Sequence, residues 1–194
     1  MQRFITLAFS ALLLLSLNAA TPETHYTVIV SLDGFRWDYP DMYKTPNLDR
    51  MAADGVKAVM LPSYPASTFP NHYTLATGLV PDHHGIINNT FWDVKNRRQY
   101  SMGDSATRNN PEYYFGEPIW ITAQKQGVKT GNMYWVGSDI AIKKSHPTYY
   151  RPWNAKPFLT FEQRIDTVLT WLQKPEPCLF IHISEPTRLG MISY

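Results

Sequence analysis

Two polar side chains stand where the sequence predicts the ends of regular elements. Asp33 follows a β-branched apolar run over residues 25–32, and Thr68 stands at the start of a predicted helix. A helix N-terminus offers unpaired amides and positive potential, which suit a phosphate group. Taken singly, an Asp before a Gly is most often a turn residue, and a Thr before a helix is most often a cap. Together they raise the hypothesis of phosphate chemistry, which further residues must support.

The elements that position these two residues follow the order of an α/β domain. Buried strands are predicted over residues 25–32, 56–60 and 178–183, where short apolar runs occur. Helices are predicted over residues 45–55, 70–77, 118–126 and 161–172. This alternation predicts a mostly parallel central sheet flanked by helices, with ligands beyond the carboxyl ends of the strands. The polar, weakly periodic stretch 88–117 is interpreted as an extended loop.

Composition narrows the class of protein. The chain has 194 residues, 44% of them hydrophobic, which suits one domain with a real core. The formal net charge is +2 and the basic residues are scattered, so no nucleic-acid groove is expected. The single cysteine, Cys178, has no partner for an internal disulfide.

The first twenty residues have the pattern of a signal peptide. Arg3 precedes an apolar run, and small residues follow at Ala19 and Ala20. We therefore expect residues 1–20 to be removed and residues 21–194 to be exported, to a periplasm or outside the cell. The apolar run is short for a bilayer span, so no membrane span is expected after cleavage.

Ordered motifs along the chain resemble one enzyme family. The sequence resembles the opening part of the nucleotide pyrophosphatase/phosphodiesterase (type I phosphodiesterase) family of the alkaline phosphatase superfamily. The resemblance covers about residues 26–186, and its most specific block is Thr-Phe-Pro-Asn-His at 68–72. Further matching segments lie at 30–36, 77–79, 81–89, 116–120, 135–139 and 164–172.

The resemblance implies a reaction and roles for four residues. Family enzymes hydrolyse phosphodiester or pyrophosphate bonds in nucleotides, using two zinc ions and a threonine that becomes covalently modified. Thr68 matches that nucleophile, and Asp33 matches a zinc ligand beside it. Asn89 matches an amide that binds a phosphate oxygen, and Phe69 matches a ring beside the nucleoside. Zinc coordination would favour the threonine alkoxide, and paired metals can stabilise the entering and leaving oxygens.

Three histidines are candidate zinc ligands by residue type alone. His72 lies in the Asn-His-Tyr part of the family block, and His83 and His84 precede Gly85. The resemblance favours packing or supporting roles for all three rather than metal binding.

The end of the sequence departs from the family pattern. The family has Glu-Pro-Asp-x-x-x-His after the strand at 178–183, and its Asp and His bind the other zinc. Thr187 and Met191 occupy those two positions here, and both are poor zinc ligands. The residues after Pro186 can be encoded by codons in which the insertion of one base shifts the reading frame. In that frame the chain would have Asp and His at the family spacing. We therefore expect a truncated or frameshifted chain, with a genuine short homologue as the alternative.

Three functions remain open from the sequence, and one of them, hydrolysis of a phosphomonoester, phosphonate or sulfate ester, is disfavoured by the threonine nucleophile and by Asn89. The other two are favoured. The first is zinc-dependent hydrolysis of nucleotide phosphodiester or pyrophosphate bonds through a covalent threonine intermediate, impaired in this chain. The second is an inactive exported fragment that binds a nucleotide or another phosphate ester. Zinc binding by this chain is doubtful in either case, because only Asp33 remains of the expected protein ligands.

Overall fold

The computed structural model describes residues 26–152, 155–174 and 178–183, the last range by its backbone. The predicted signal peptide and the positions of Thr187 and Met191 lie outside the described residues. Among the residues described, no helix combines the length and the apolar character needed to cross a bilayer.

A four-stranded parallel sheet forms the centre of the fold. Its strands are β1 (Thr27–Ile29), β4 (Lys129–Met133), β5 (Tyr149–Arg151) and β6 (Cys178–Ile183), in the spatial order β1-β6-β4-β5. Every neighbouring pair is parallel, so the predicted α/β class and mostly parallel sheet are confirmed. All four strands present their carboxyl ends at one edge, and Asp33 follows β1 at that edge.

Seven α-helices accompany the strands in the described part of the chain. Their bounds are α1 Tyr39–Met42, α2 Pro46–Asp54, α3 Thr68–Thr77, α4 Pro81–His84, α5 Ser105–Arg108, α6 Ile119–Lys125 and α7 Phe161–Leu172. The helices predicted near α2, α3, α6 and α7 are confirmed. Helix α7 begins at a capping box, in which the Thr160 hydroxyl accepts from the Gln163 amide and the Gln163 side chain accepts from the Thr160 amide.

Three sequence predictions are wrong. Strand β1 covers only Thr27–Ile29 and is not the buried strand expected over residues 25–32, since Val28 is 49% exposed. Residues 56–60 form no strand, and Val56 is 92% exposed, so the apolar run there has no strand partner among the described residues. The stretch 88–117 is not a plain loop, because it holds an antiparallel hairpin of β2 (Thr90–Asp93) and β3 (Arg98–Ser101) followed by α5. Stacked rings of Phe91 and Tyr100, 4.6 Å apart, hold the hairpin together.

The core lies between α3, α4, the hairpin, α6 and the residues after β4. Its largest fully buried members include Phe69, Tyr73, Tyr100, Trp120 and Trp135. Helix α3 ends at Gly78, whose positive φ of 69° lets its amide donate back to Thr74. Gly85 has φ +87° and an added Cβ there would lie 2.5 Å from the Tyr113 carbonyl oxygen, so only glycine fits.

Candidate active site

The Thr68 hydroxyl and the Asp33 carboxylate meet at the carboxyl edge of the sheet. Thr68 is the first residue of α3, and its Oγ1 donates to Asp33 Oδ2 at 3.1 Å. Both side chains are partly exposed, so a ligand in solvent can reach them. The fold therefore brings together two residues that lie 35 positions apart in the sequence.

The segment that holds Asn89 is attached to the start of α3 by two side chains. Asn89 Oδ1 accepts from the Phe69 amide at 2.8 Å. Asn88 Oδ1 accepts from the Ser67 hydroxyl at 3.1 Å and from the Asn89 amide at 2.8 Å. Because Oδ1 of Asn89 faces the helix, its Nδ2 group faces away from the Phe69 amide.

The N-terminus of α3 offers fewer free amides than the sequence suggests. Asn89 uses the Phe69 amide, Pro70 has no N–H, and the Asn71 amide donates to the Ser67 carbonyl at 3.2 Å. The Thr68 amide is the one among these first helical positions with no hydrogen bond to a described residue. An approaching phosphate would therefore meet one backbone donor together with the Asn89 amide group, rather than a row of helix amides.

The Phe69 ring lies in the core. The residue is 1% exposed and belongs to the buried aromatic cluster. A nucleoside could touch this ring only after neighbouring groups move. The nucleoside contact inferred from the resemblance therefore stays a prediction.

His72 and His84 are buried and hydrogen-bonded to protein groups, as the sequence interpretation favours, whereas His83 is exposed. The Ile86 amide donates to His84 Nδ1 at 3.2 Å, so the proton of a neutral ring sits on Nε2, which faces the Pro70 carbonyl at 3.2 Å. Burial lowers the pKa of His84 below its usual value, with the Pro70 contact acting in the opposite direction.

The described residues do not fit a two-zinc centre. No group of three or more His, Cys, Asp or Glu side chains converges anywhere in the described ranges. At the site itself, Asp33 is the one carboxylate beside Thr68 whose contact the structure defines. A zinc ion normally takes three or four protein ligands, so a carboxylate and a hydroxyl are too few.

Sequence reasoning missed two residues that support the site. Ser31 Oγ lies 2.9 Å from His72 Nε2, and Trp135 Nε1 donates to the His72 carbonyl at 2.9 Å. A polar residue two positions before Asp33 was the available signal for Ser31. For Trp135, the available signal was that it is an aromatic residue within the matching segment 135–139.

Comparisons with known proteins point to one family. The family model described as type I phosphodiesterase / nucleotide pyrophosphatase matches residues 27–194. The chain is 41% identical over 170 residues to ectonucleotide pyrophosphatase/phosphodiesterase family member 3 of Bos taurus, covering 84% of this chain and 19% of that protein. It is 39% identical over 170 residues to venom phosphodiesterase 2 of Crotalus adamanteus, covering 84% of this chain and 21% of that protein.

A solved structure agrees with these sequence comparisons. Murine ectonucleotide pyrophosphatase/phosphodiesterase 5 superposes with a TM-score of 0.74 and 34% identity, covering 84% of this chain and 44% of that one. An inactive threonine-to-alanine variant of that protein, in complex with AMP, superposes with a TM-score of 0.73, covering 82% of this chain and 43% of that one. The chain thus spans about a fifth of the length of the curated relatives and under half of these solved chains.

The family match extends over nearly all of the residues described, and the two solved structures superpose on 84% and 82% of the chain. The fold is accordingly alkaline phosphatase-like and partial. The chain belongs to the type I phosphodiesterase / nucleotide pyrophosphatase family of hydrolases.

Proposed function

We propose that this chain provides the nucleophile and the phosphate contacts of a site that cleaves phosphodiester or pyrophosphate bonds in nucleotides. The observation that supports this most strongly is the 3.1 Å hydrogen bond from Thr68 Oγ1 to Asp33 Oδ2 at the start of α3. Thr68 Oγ1 loses its proton to solvent and attacks phosphorus, the bond from phosphorus to the leaving oxygen breaks, and the leaving oxygen takes up a proton. A water molecule later attacks the same phosphorus, which breaks the bond to Oγ1 and restores the Thr68 hydroxyl.

Asp33 accepts a hydrogen bond from the Thr68 hydroxyl and thereby orients it. The contact directs the remaining lone pairs of Oγ1 away from the carboxylate, which leaves them available to a substrate phosphorus. A carboxylate is a far weaker base than the alkoxide that an aliphatic hydroxyl would become, so the hydrogen bond orients the hydroxyl more than it deprotonates it. Asp33 alone therefore activates Thr68 poorly.

Asn89 provides an uncharged donor for a phosphate oxygen. Its Oδ1 is held by the Phe69 amide at 2.8 Å, which fixes the amide plane and leaves Nδ2 to donate. A donor placed in advance stabilises charge that develops on the phosphate oxygen without a cost of reorganisation. We propose Phe69 as the ring nearest the nucleoside, reached after its surroundings rearrange.

The proposed family chemistry uses two zinc ions, which polarise the phosphate and favour ionisation of the nucleophile. Because the described residues do not fit that centre, we propose that hydrolysis by this chain is impaired. Thr187 and Met191, at two expected ligand positions, are poor zinc donors. We propose that a shifted reading frame after Pro186 accounts for these two residues. Reading the DNA in the neighbouring frame tests this, and absence of an Asp-His pair there contradicts it.

Nucleotides are the proposed substrate class, and the chain is proposed to act after export. The name of one solved relative describes a complex with AMP, and the name of another relative describes a venom phosphodiesterase. Together with the signal-peptide pattern of residues 1–20, these names support a periplasmic or extracellular location.

A second candidate function is nucleotide binding without cleavage. The shortage of metal ligands among the described residues favours it, since the Asn89 amide and the Thr68 amide can hold a phosphate without any metal. Calorimetry with AMP separates this candidate from an inert fragment, because only a binding protein releases or absorbs heat in proportion to site occupancy.

Hydrolysis of a nitrophenyl nucleotide ester, with zinc added, tests the proposed reaction. We expect slow release of nitrophenol by the purified chain, reduced at least about a hundredfold in Thr68→Ala. Thr170→Ala is the matched control, because its hydroxyl lies on α7 and donates to the Asp166 carbonyl, outside the candidate site. Equal rates in Thr68→Ala and the original chain would contradict the proposal, and AMP binding without any turnover would favour the second candidate.

A further inference from the structure

A second hydrogen bond joins helix α3 to the segment after β1, beside the one between Thr68 and Asp33. Ser31 Oγ and His72 Nε2 lie 2.9 Å apart. Ser31 comes two residues before Asp33, and His72 comes four residues after Thr68. The two hydrogen bonds therefore connect the same two elements at two levels.

The spacings of the two connections match in length. Four residues of α-helix rise about 6 Å, and two residues of chain can span up to about 7 Å. Residues four apart also lie on one helix face, so Thr68 and His72 both point toward the segment that follows β1. A shift of α3 along its own axis would stretch both hydrogen bonds at once.

The position and proton of the His72 ring are well defined. His72 is 4% exposed, its Nδ1 lies 2.8 Å from the Thr68 carbonyl oxygen, and its ring meets Trp135 edge-on at 5.5 Å. A carbonyl only accepts, so the neutral ring has its proton on Nδ1, and Nε2 accepts from the Ser31 hydroxyl. Trp135 Nε1 donates to the His72 carbonyl at 2.9 Å and holds the backbone of the same residue.

We propose that Ser31 and His72 are positioning residues, which set the axial position of α3 so that the Thr68 hydroxyl meets the Asp33 carboxylate. This proposal rests on the proposed function in one respect, namely that the position of the Thr68 hydroxyl matters for catalysis. Its geometric content is independent of whether the chain turns over substrate.

Crystal structures of three variants test the geometry, with the distance between Thr68 Oγ1 and Asp33 Oδ2 as the readout. In Ser31→Ala we expect this distance to exceed about 3.5 Å, the limit of a hydrogen bond. In Ser31→Thr, which keeps the hydroxyl, the distance stays near 3.1 Å. His72→Asn preserves a donor for the Thr68 carbonyl but is too short to reach Ser31, so it should reproduce Ser31→Ala.

Tyr73→Phe is the matched control for a purely structural effect. Tyr73 lies on the same helix, and its hydroxyl donates to the Phe115 carbonyl at 3.0 Å rather than to the segment after β1. This variant should lower the melting temperature and leave the Thr68–Asp33 distance unchanged. If Ser31→Ala and His72→Asn also leave that distance near 3.1 Å, the positioning role is overturned.

Nitrophenyl ester hydrolysis separates this proposal from the proposed function. A displaced hydroxyl should lower kcat about tenfold in Ser31→Ala with little change in KM, and Ser31→Thr should restore the rate. If the original chain neither binds AMP nor hydrolyses the ester, the proposed function fails, while the distances still decide the positioning role.

Discussion

The two halves of the candidate site stand on regions that differ sharply in packing. Thr68 and Asn89 belong to the region from residue 68 to 151, which contains the fully buried side chains of Trp120, Trp135 and Tyr73. Asp33 belongs to the region from residue 26 to 67, in which no residue is buried. Several large apolar side chains of this second region are exposed, among them Val30 at 57%, Met51 at 69% and Leu61 at 87%.

This contrast shows that the nucleophile and its carboxylate are held by different amounts of packing. A helix anchored by buried aromatic rings stays in place, whereas an edge strand with exposed apolar residues opens at a lower free energy. The hydrogen bonds from Thr68 to Asp33 and from Ser31 to His72 cross the boundary between the two regions. The geometry of the site therefore depends most on the less packed region.

The largest expected change in the free energy of unfolding comes from truncating a buried side chain, compared with an exposed one on the other side of that boundary. Trp120→Ala removes a ring that is fully buried on α6 and should lower the free energy of unfolding by about 3–5 kcal/mol. Met51→Ala, on the exposed surface of α2, should change it by no more than about 0.5 kcal/mol. Urea unfolding measures both, and equal losses would break the comparison.

A substitution in the region from residue 68 to 151 is expected to raise the free energy of unfolding, by a smaller amount. Asn132 on β4 is fully buried, and neither its Oδ1 nor its Nδ2 has a hydrogen-bond partner among the groups the structure describes. Asn132→Leu should raise the free energy of unfolding by about 1–3 kcal/mol, because the unpaired polar atoms are removed. Asn132→Asp has the same shape and is the control, since a buried carboxylate should destabilise the fold. A loss of stability in the leucine variant would contradict this account.

The smallest expected effect concerns pH and again contrasts a buried with an exposed group. Burial lowers the folded-state pKa of His84 below the usual 6.5, so the unfolded chain binds more protons below that pH. The stability that the neutral ring contributes is present above about pH 6.5 and is lost as the pH falls toward the folded-state pKa. His84→Gln should therefore reduce the loss of stability between about pH 8 and pH 5.5.

His83 provides the control for that experiment, because it is the next residue in the chain and its side chain is 67% exposed. His83→Gln should leave the pH dependence of the urea midpoint unchanged. If both variants behave alike, the effect does not come from burial of His84.

Sequence patterns were most informative where local signals and tertiary packing agree. The stop at Gly78 predicts the end of α3, the helical spacing of apolar residues over 161–172 predicts α7, and apolar runs predict the strands at β1 and β6. The segment 56–60 has the same kind of apolar run and forms no strand, because strand pairing depends on a neighbour that the sequence pattern does not reveal.

The sequence predicted which residues form the site better than it predicted the contacts between them. The resemblance brought Thr68, Asp33 and Asn89 together, and the structure places the first two 3.1 Å apart. The use of the Phe69 amide by Asn89 and the burial of the Phe69 ring were not predictable, because both depend on how the hairpin packs against α3. The bond from Ser31 to His72 depends likewise on tertiary packing.

Acid quenching and peptide mass spectrometry after a single turnover test the central proposal most directly. The purified chain is mixed with a nitrophenyl nucleotide ester and zinc, quenched, digested and searched for a nucleotidyl group. The proposal predicts that the modification lies on the peptide containing Thr68, at Thr68, and is absent from Thr68→Ala. Modification at a different residue, or an equal amount of modified protein in Thr68→Ala, would contradict it.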